Sequence, residues 1–378
     1  LINDYFLLSL NFLKNISLTL IQQQPSLLLV KKMRLSMLLL LSALLLSTRA
    51  FSQSREIKDL CQVFHLPHDK DTTTFVVFGS QADLKVKKPL FLFRQGSQPM
   101  PIIHQYQDGY YMPVSPFRFR DYKEKYHFVM ISKPGVKLVA DSVYLDQYQK
   151  AMRNGDTSEV YVSKKYLQNN YREKYVEQCD QVIDFLVKQP WVDSNMVVFC
   201  GGSEGFTVGA DLVANRNKHI THAILFSGNP ERRFENIIYR LRQDAKNGVI
   251  KAEEAQEEID KMYEVWKDIC NNPKSVEKSF GDTYRAWYSF SVRNLDHLLK
   301  IQIPLYIAYG TEDGEISANM DMLPIEFETA GKKNLTFKSY LNYDHQFFEI
   351  KKSSDGEVID RVYRGDSVAA DWMKWLEK

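Results

Sequence analysis

The sequence contains few of the residues and motifs that announce a metal or a bound nucleotide. It has four cysteines in 378 residues, Cys61, Cys179, Cys200 and Cys270, and no two form a C-x-x-C pair. Neither a cysteine-rich zinc site nor a disulfide framework is therefore signalled, although an exported chain could still pair Cys61, Cys179 or Cys270. No H-E-x-x-H, no G-x-x-x-x-G-K-[ST] loop and no G-x-G-x-x-G turn occurs. Metal-assisted hydrolysis and nucleotide or dinucleotide chemistry thus have no support, and no cofactor is expected. Proline and glycine number only 13 and 17, too few for a fibrous or low-complexity chain.

Charge of one sign is also scarce. The formal net charge is +2, and the excess sits at the start of the chain. Lys31, Lys32 and Arg34 precede an apolar run over 35–46, and Ala50 and Ser52 stand three residues and one residue before Gln53. This is the layout of a secretory signal peptide cut before Gln53. The run is too short for a membrane span, which needs about 20 residues, so no stable anchor is expected after cleavage. Residues 1–52 are read as an upstream extension plus this signal, with Met33 as the expected start and a periplasmic or secreted location for the product. Removing them lowers Lys+Arg from 49 to 44 and Asp+Glu from 47 to 46, so the remainder carries −2. Nucleic-acid binding loses its compositional support.

What is abundant is apolar and aromatic material: 44% of residues are hydrophobic, with 21 Tyr, 22 Phe and 5 Trp. Short apolar runs at 74–78, 90–94, 127–132, 196–200, 223–227, 304–309 and 335–340 read as strands. Helical patterns at 166–188, 205–215, 317–330 and 366–378 lie between and after them. Near-continuous apolar strands alternating with helices predict an α/β fold with a mainly parallel sheet covered on both faces. Residues 229–302 break the rhythm and read as helix throughout. They carry 13 basic and 13 acidic residues, and Ile259, Met262, Tyr263, Trp266 and Ile269 form one apolar stripe. Trp287, Phe290, Leu295 and Leu298 suggest a second apolar surface. The expected organisation is a core of 53–228 and 303–378 with a helical cap inserted at 229–302.

The chemistry is sought where a strand runs into Gly201-x-Ser203-x-Gly205 and a helix follows. A nucleophile on so sharp a turn needs small flanking residues, because the backbone there is strained and closely approached. A serine needs a base, and the base needs an orienting acid. Asp313 follows the strand at 304–309, with Glu312 and Asp321 as alternative acids. His345 follows the strand at 335–340 and is the last of eight histidines. The order Ser203, Asp313, His345 puts three roles at three strand ends on one sheet edge. The oxyanion hole is expected from the N–H of Glu204 and of Ser97, the latter in the turn Gln95-Gly96-Ser97. Cys200 reads as a core residue rather than a nucleophile.

From about Thr72 to Lys378 these features resemble the α/β-hydrolase superfamily. The cap position and the Gly201-Gly-Ser-x-Gly205 elbow are similar to esterases and to serine aminopeptidases of the proline-iminopeptidase type. In that peptidase family Trp usually follows the serine, where this chain has Glu204, and His-Gly usually forms the oxyanion turn, where it has Gln95-Gly96. The resemblance implies an exported serine hydrolase cleaving small ester or peptide substrates, with esters the broader default. An aminopeptidase would hold a substrate ammonium on cap acids such as Glu253, Glu254 or Glu257, unless these form a solvated helix face. A non-catalytic binding protein on the same scaffold is the remaining alternative. The oligomeric state is left open.

Overall fold

The computed structural model describes residues 56–68, 71–154, 161–314 and 316–378. The expected signal segment and its cleavage point lie outside the described residues.

Eight strands form the central sheet: β1 (Cys61–His68), β2 (Asp71–Phe78), β3 (Lys88–Arg94), β4 (His127–Ile131), β5 (Val192–Gly202), β6 (His222–Phe226), β7 (Leu305–Gly310) and β8 (Leu335–Tyr340). Their spatial order is β1-β2-β4-β3-β5-β6-β7-β8. From β4 to β8 every neighbouring pair is parallel, while β1–β2 and β2–β4 are antiparallel. All seven predicted strands lie in this sheet; β1 was not anticipated. This order, with the single exchange of β3 and β4, is that of the α/β-hydrolase fold.

The two faces of the sheet are read directly from the period-two alternation of the strands. Leu90, Leu92, Val197, Phe199, Leu225 and Ile307 point to one side, where helix α3 (Arg172–Leu186) packs Tyr175, Val176, Cys179 and Ile183 onto them. Phe91, Phe93, Val198, Cys200 and Ile224 point to the other, against Val368, Trp372 and Met373 of the C-terminal helix (Gly365–Leu376). Burial on both faces is why these strands lack polar positions.

Several elements were not legible as such. A helix, α1 (Ser142–Arg153), precedes the region expected to be one helix over 166–188, which is instead α2 (Lys164–Asn169) followed by α3. The interruption falls at Asn170, whose side chain accepts a hydrogen bond from the Tyr175 hydroxyl and donates to Asp282. A small sheet pairs Ile103–Tyr106 with Gly109–Tyr111 and Val139–Asp141. After β8, Phe348–Lys352 pairs with Val358–Tyr363 around Gly356 at φ 86°. The Asp355-Gly356 dipeptide was a turn signal for that hairpin.

Helix α4 (Glu204–Asn215) follows β5 and packs against α3. The segment between β6 and β7 contains α5 (Arg233–Lys246), α6 (Ala252–Asn271), α7 (Tyr284–Phe290) and α8 (Leu295–Leu298). The sequence reading expected helix throughout, and the structure corrects it: Ser279–Phe280 pairs with Asp282–Thr283 across Gly281 at φ 72°. The Trp287 indole N–H donates to Phe280 O at 2.7 Å and holds that turn. Of the predicted stripe, Ile259, Met262 and Ile269 are buried, while Tyr263 faces solvent. Trp287, Ile269 and Tyr284 form a separate small cluster with Phe234 and Trp266. Leu295 and Leu298 instead join the main core, so the second apolar surface is divided between insertion and core. After β7 comes α9 (Ser317–Thr329), and the C-terminal helix is α10. All four cysteines are free; Cys61, Cys179 and Cys200 are buried, and burial pushes their thiols up, Cys61 to about 12 and Cys179 to about 11. None of these three buried thiols is an activated nucleophile.

Candidate active site

Strand β5 ends at Gly202 and α4 begins at Glu204, which leaves Ser203 alone to turn the chain. It does so at φ 54° and ψ −115°, a strained conformation for a residue with a Cβ. The turn is held by Ser203 N–H donating to Phe226 O and by Phe206 N–H donating to Ser203 O, both at 3.0 Å. Neighbouring backbones come too close for any side chain. A Cβ on Gly201 would lie 2.2 Å from Gly205 O, and one on Gly205 would lie 2.2 Å from Arg94 O. The two glycines picked out in the sequence are thus required by contact.

The turn after β3 lies directly against the serine. A Cβ on Gly96 would stand 3.4 Å from Ser203 Cβ and 3.8 Å from its Oγ. Ser97, the next residue, is exposed, and its carbonyl accepts from Lys133 Nζ at 2.8 Å and from the Tyr166 hydroxyl at 3.3 Å. Glu204 is the first residue of α4, so its N–H is one that the helix leaves unpaired. Its carboxylate accepts from Lys133 Nζ at 2.8 Å. Lys133 was not singled out by sequence reasoning. The available signal was a lysine two residues beyond an otherwise apolar strand end.

Asp313 lies in the loop after β7 and is buried; its N–H donates to Gly310 O, and its carbonyl accepts from Ile316 and Ser317. Its Oδ2 is 2.7 Å from His345 Nδ1. An ionised carboxylate only accepts, so Nδ1 carries the proton in this bond. The loop bearing His345 is pinned by Asp344, which accepts from Gln346 N–H and Phe348 N–H at 2.9 Å and from Arg361. The alternative acids are engaged elsewhere: Glu312 with Lys352, and Asp321 with the Tyr309 hydroxyl.

Ser203, Asp313 and His345 therefore stand at the C-terminal ends of β5, β7 and β8, with β6 between the serine and the acid. This is the edge where open α/β sheets bind ligands. The insertion reaches the same edge. Asn294 Nδ2 donates to Thr207 Oγ1 on α4 at 2.9 Å, and Asp282 accepts from Asn170. Burial raises the Asp282 carboxyl, against the pull of Arg233. Glu253, Glu254 and Glu257 all face solvent, and Glu254 caps the N-terminus of its own helix. A cavity of about 210 Å³ lined by Asp59, Phe78, Asp83, Arg120 and Lys123 shares no residue with this constellation.

No protein-family model matches the sequence, and no curated protein is detectably similar to it. Among solved structures, the acylaminoacyl peptidase of Pyrococcus horikoshii is 14% identical, with a TM-score of 0.48 over 88% of this chain and 43% of its own. Dipeptidyl peptidase 4 of Porphyromonas gingivalis is 12% identical, with a TM-score of 0.48 over 84% of this chain and 35% of its own. Est1E from Butyrivibrio proteoclasticus is 12% identical, with a TM-score of 0.41 over 75% of this chain and 90% of its own. The chain spans little more than a third of the length of such peptidases. The fold assignment rests on the strand order and on the serine-bearing turn.

Proposed function

We propose that the chain is a serine hydrolase that cleaves carboxyl-ester or amide bonds through an acyl-enzyme. The observation that carries this reading is the strained Ser203 on the same sheet edge as the bonded Asp313–His345 pair. Ser203 Oγ attacks the acyl carbonyl while His345 Nε2 takes its proton. Asp313 keeps His345 in the Nδ1–H tautomer and stabilises the imidazolium. The N–H groups of Ser97 and Glu204 meet the negative oxygen, and His345 returns its proton to the departing alcohol or amine. Water, deprotonated by His345, then releases the acid and restores Ser203. Residues 229–302 act as the cap that selects the substrate, and the segment at 33–52 supports export to the periplasm or the exterior.

Esters are the preferred substrate class. The aminopeptidase reading asked Glu253, Glu254 or Glu257 to hold an ammonium, and these side chains are solvated. Labelling with a fluorophosphonate probe tests the reaction class. Wild-type protein is expected to be labelled at Ser203 and the Ser203→Ala variant not at all. Equal labelling of both would dismiss the assignment, and an unlabelled wild type would favour a binding protein. Side-by-side turnover of p-nitrophenyl esters and aminoacyl p-nitroanilides then separates the bond types. Cleavage of the anilides alone would overturn the ester preference.

A further inference from the structure

The two amides assigned to the oxyanion come from the turn after β3 and from the first residue of α4, and one buried cation joins the residues that carry them. Lys133 leaves β4 with its side chain 0% exposed. Its Nζ donates to Ser97 O and to Glu204 Oε1, each at 2.8 Å. Burying an ammonium and a carboxylate is costly, and apolar residues of similar size would usually stabilise such a site as well or better. The pair is thus poorly explained by stability alone. What it does supply is a rigid link between the turn after β3 and the first residue of α4.

We propose that Lys133 is a positioning residue, whose ammonium ties the Ser97 carbonyl to the Glu204 carboxylate and so holds the two oxyanion amides in register. The role rests on the acyl-enzyme reading. The Tyr166 hydroxyl, donating to the same carbonyl at 3.3 Å, seconds the link without reaching Glu204.

The link has a pH signature. Lys133 faces Glu204, Arg94 and Asp282, and lies 5.2 Å from the Tyr175 ring and 6.0 Å from that of Tyr166. Burial brings its ammonium down to about 8, with Glu204 opposing the fall and Arg94 adding to it. Between about 8 and the ordinary lysine value of 10.5, the folded chain binds fewer protons at this site than the unfolded chain. Its contribution to stability therefore rises with pH across that window. Activity moves the opposite way as the charged link is lost, and a purely structural lysine would not show that divergence.

The test measures kcat, KM and Tm from pH 6 to 10 on a p-nitrophenyl ester, for wild type, Lys133→Met and Lys133→Met/Glu204→Gln. The double variant removes both charges and keeps the Glu204 amide, so it folds without an unpaired buried carboxylate. In wild type, kcat is expected to fall about tenfold above pH 8 with no fall in Tm. In both variants kcat is expected to be down roughly 100-fold at pH 7, the size of one lost oxyanion donor, with KM within about twofold and the fall near pH 8 absent. A folded double variant with wild-type kcat, or a wild type whose kcat is flat across pH 8, would overturn the role while leaving the hydrolase reading intact. A wild type unlabelled at Ser203 would overturn both together.

Discussion

In the central sheet, Leu90, Phe91, Leu92, Val197, Val198 and Phe199 are completely buried, whereas helix α5 of the insertion buries none of its 14 residues. The sheet is a core closed on both faces. The insertion owns one small cluster around Trp287, joins the main core only through its last part at Leu295 and Leu298, and otherwise leans on α3 and α4 through polar contacts such as Asn294–Thr207 and Arg172–Ser289. Strain is stored in the first region, where dense packing over-determines the backbone of Ser203. The second has few buried contacts of its own, which on the proposed reading makes it the part that would open or vary while the strand ends stay put. The proposed hydrolysis would use both: reacting groups held within fractions of an ångström, and a cover that lets substrate in.

The sharpest break of that comparison is chemical. Asp313→Asn keeps the size of the side chain but offers His345 Nδ1 an amide that can turn its N–H₂ toward it, which favours the wrong tautomer. We expect kcat on an ester to fall by roughly 10³–10⁴, with Tm close to wild type and unchanged binding of a substrate analogue. A loss below tenfold would remove Asp313 from the mechanism. Gly205→Ala comes next. Its Cβ would enter within 2.2 Å of Arg94 O, between two backbones that cannot yield separately. A cost of about 3 kcal/mol or more, at the upper end of overpacking, is expected by denaturant titration. A variant as stable as wild type would show that the elbow is looser than its contacts imply.

Much of this was legible in advance, and unevenly so. The seven predicted strands and the order serine, acid, histidine could be read because buried parallel strands are nearly pure apolar runs and because turn glycines punctuate them. The site's polar interior was not. Nothing in a linear pattern links Lys133 or Asp282 to Ser203; the sheet order brings Lys133 there, and the fold of the insertion against Asn170 brings Asp282. The insertion was misread where its pattern was weakest. Leu295 and Leu298 have the same spacing whether they line a cap or the main core, and periodicity does not say which partner a face will meet. The hairpin at Phe348–Lys352 and Val358–Tyr363 escaped for the opposite reason: Val358 and Ile359 are exposed, so no alternation marks it.

Trp287→Ala probes the insertion itself. The ring is buried under the Arg233 guanidinium at 3.7 Å and against Phe234 at 5.0 Å. Truncation of such a residue costs about 3–5 kcal/mol locally. If the insertion is only loosely coupled to the sheet, amides of α5, α6 and α7 will exchange faster while those of β5, β6 and β7 keep their protection. KM is expected to rise more than kcat falls. Equal acceleration of exchange in the strands would instead make the two regions one cooperative unit.

The smallest expected effect sets the floor of the comparison. Lys261 pairs with Glu258 one turn away on α6, with both side chains more than half exposed. Exposed pairs of this kind gain little, because water already solvates both charges and salt screens what remains. Lys261→Ala should therefore leave Tm, exchange and kinetics where they were, at low salt as well as high. If Tm fell by several degrees at low salt and recovered in 0.5 M salt, the insertion would be held by its charged surface rather than by the Trp287 cluster. Its helices would then behave as an ionic layer against α3 and α4, and substrate entry would depend on ionic strength.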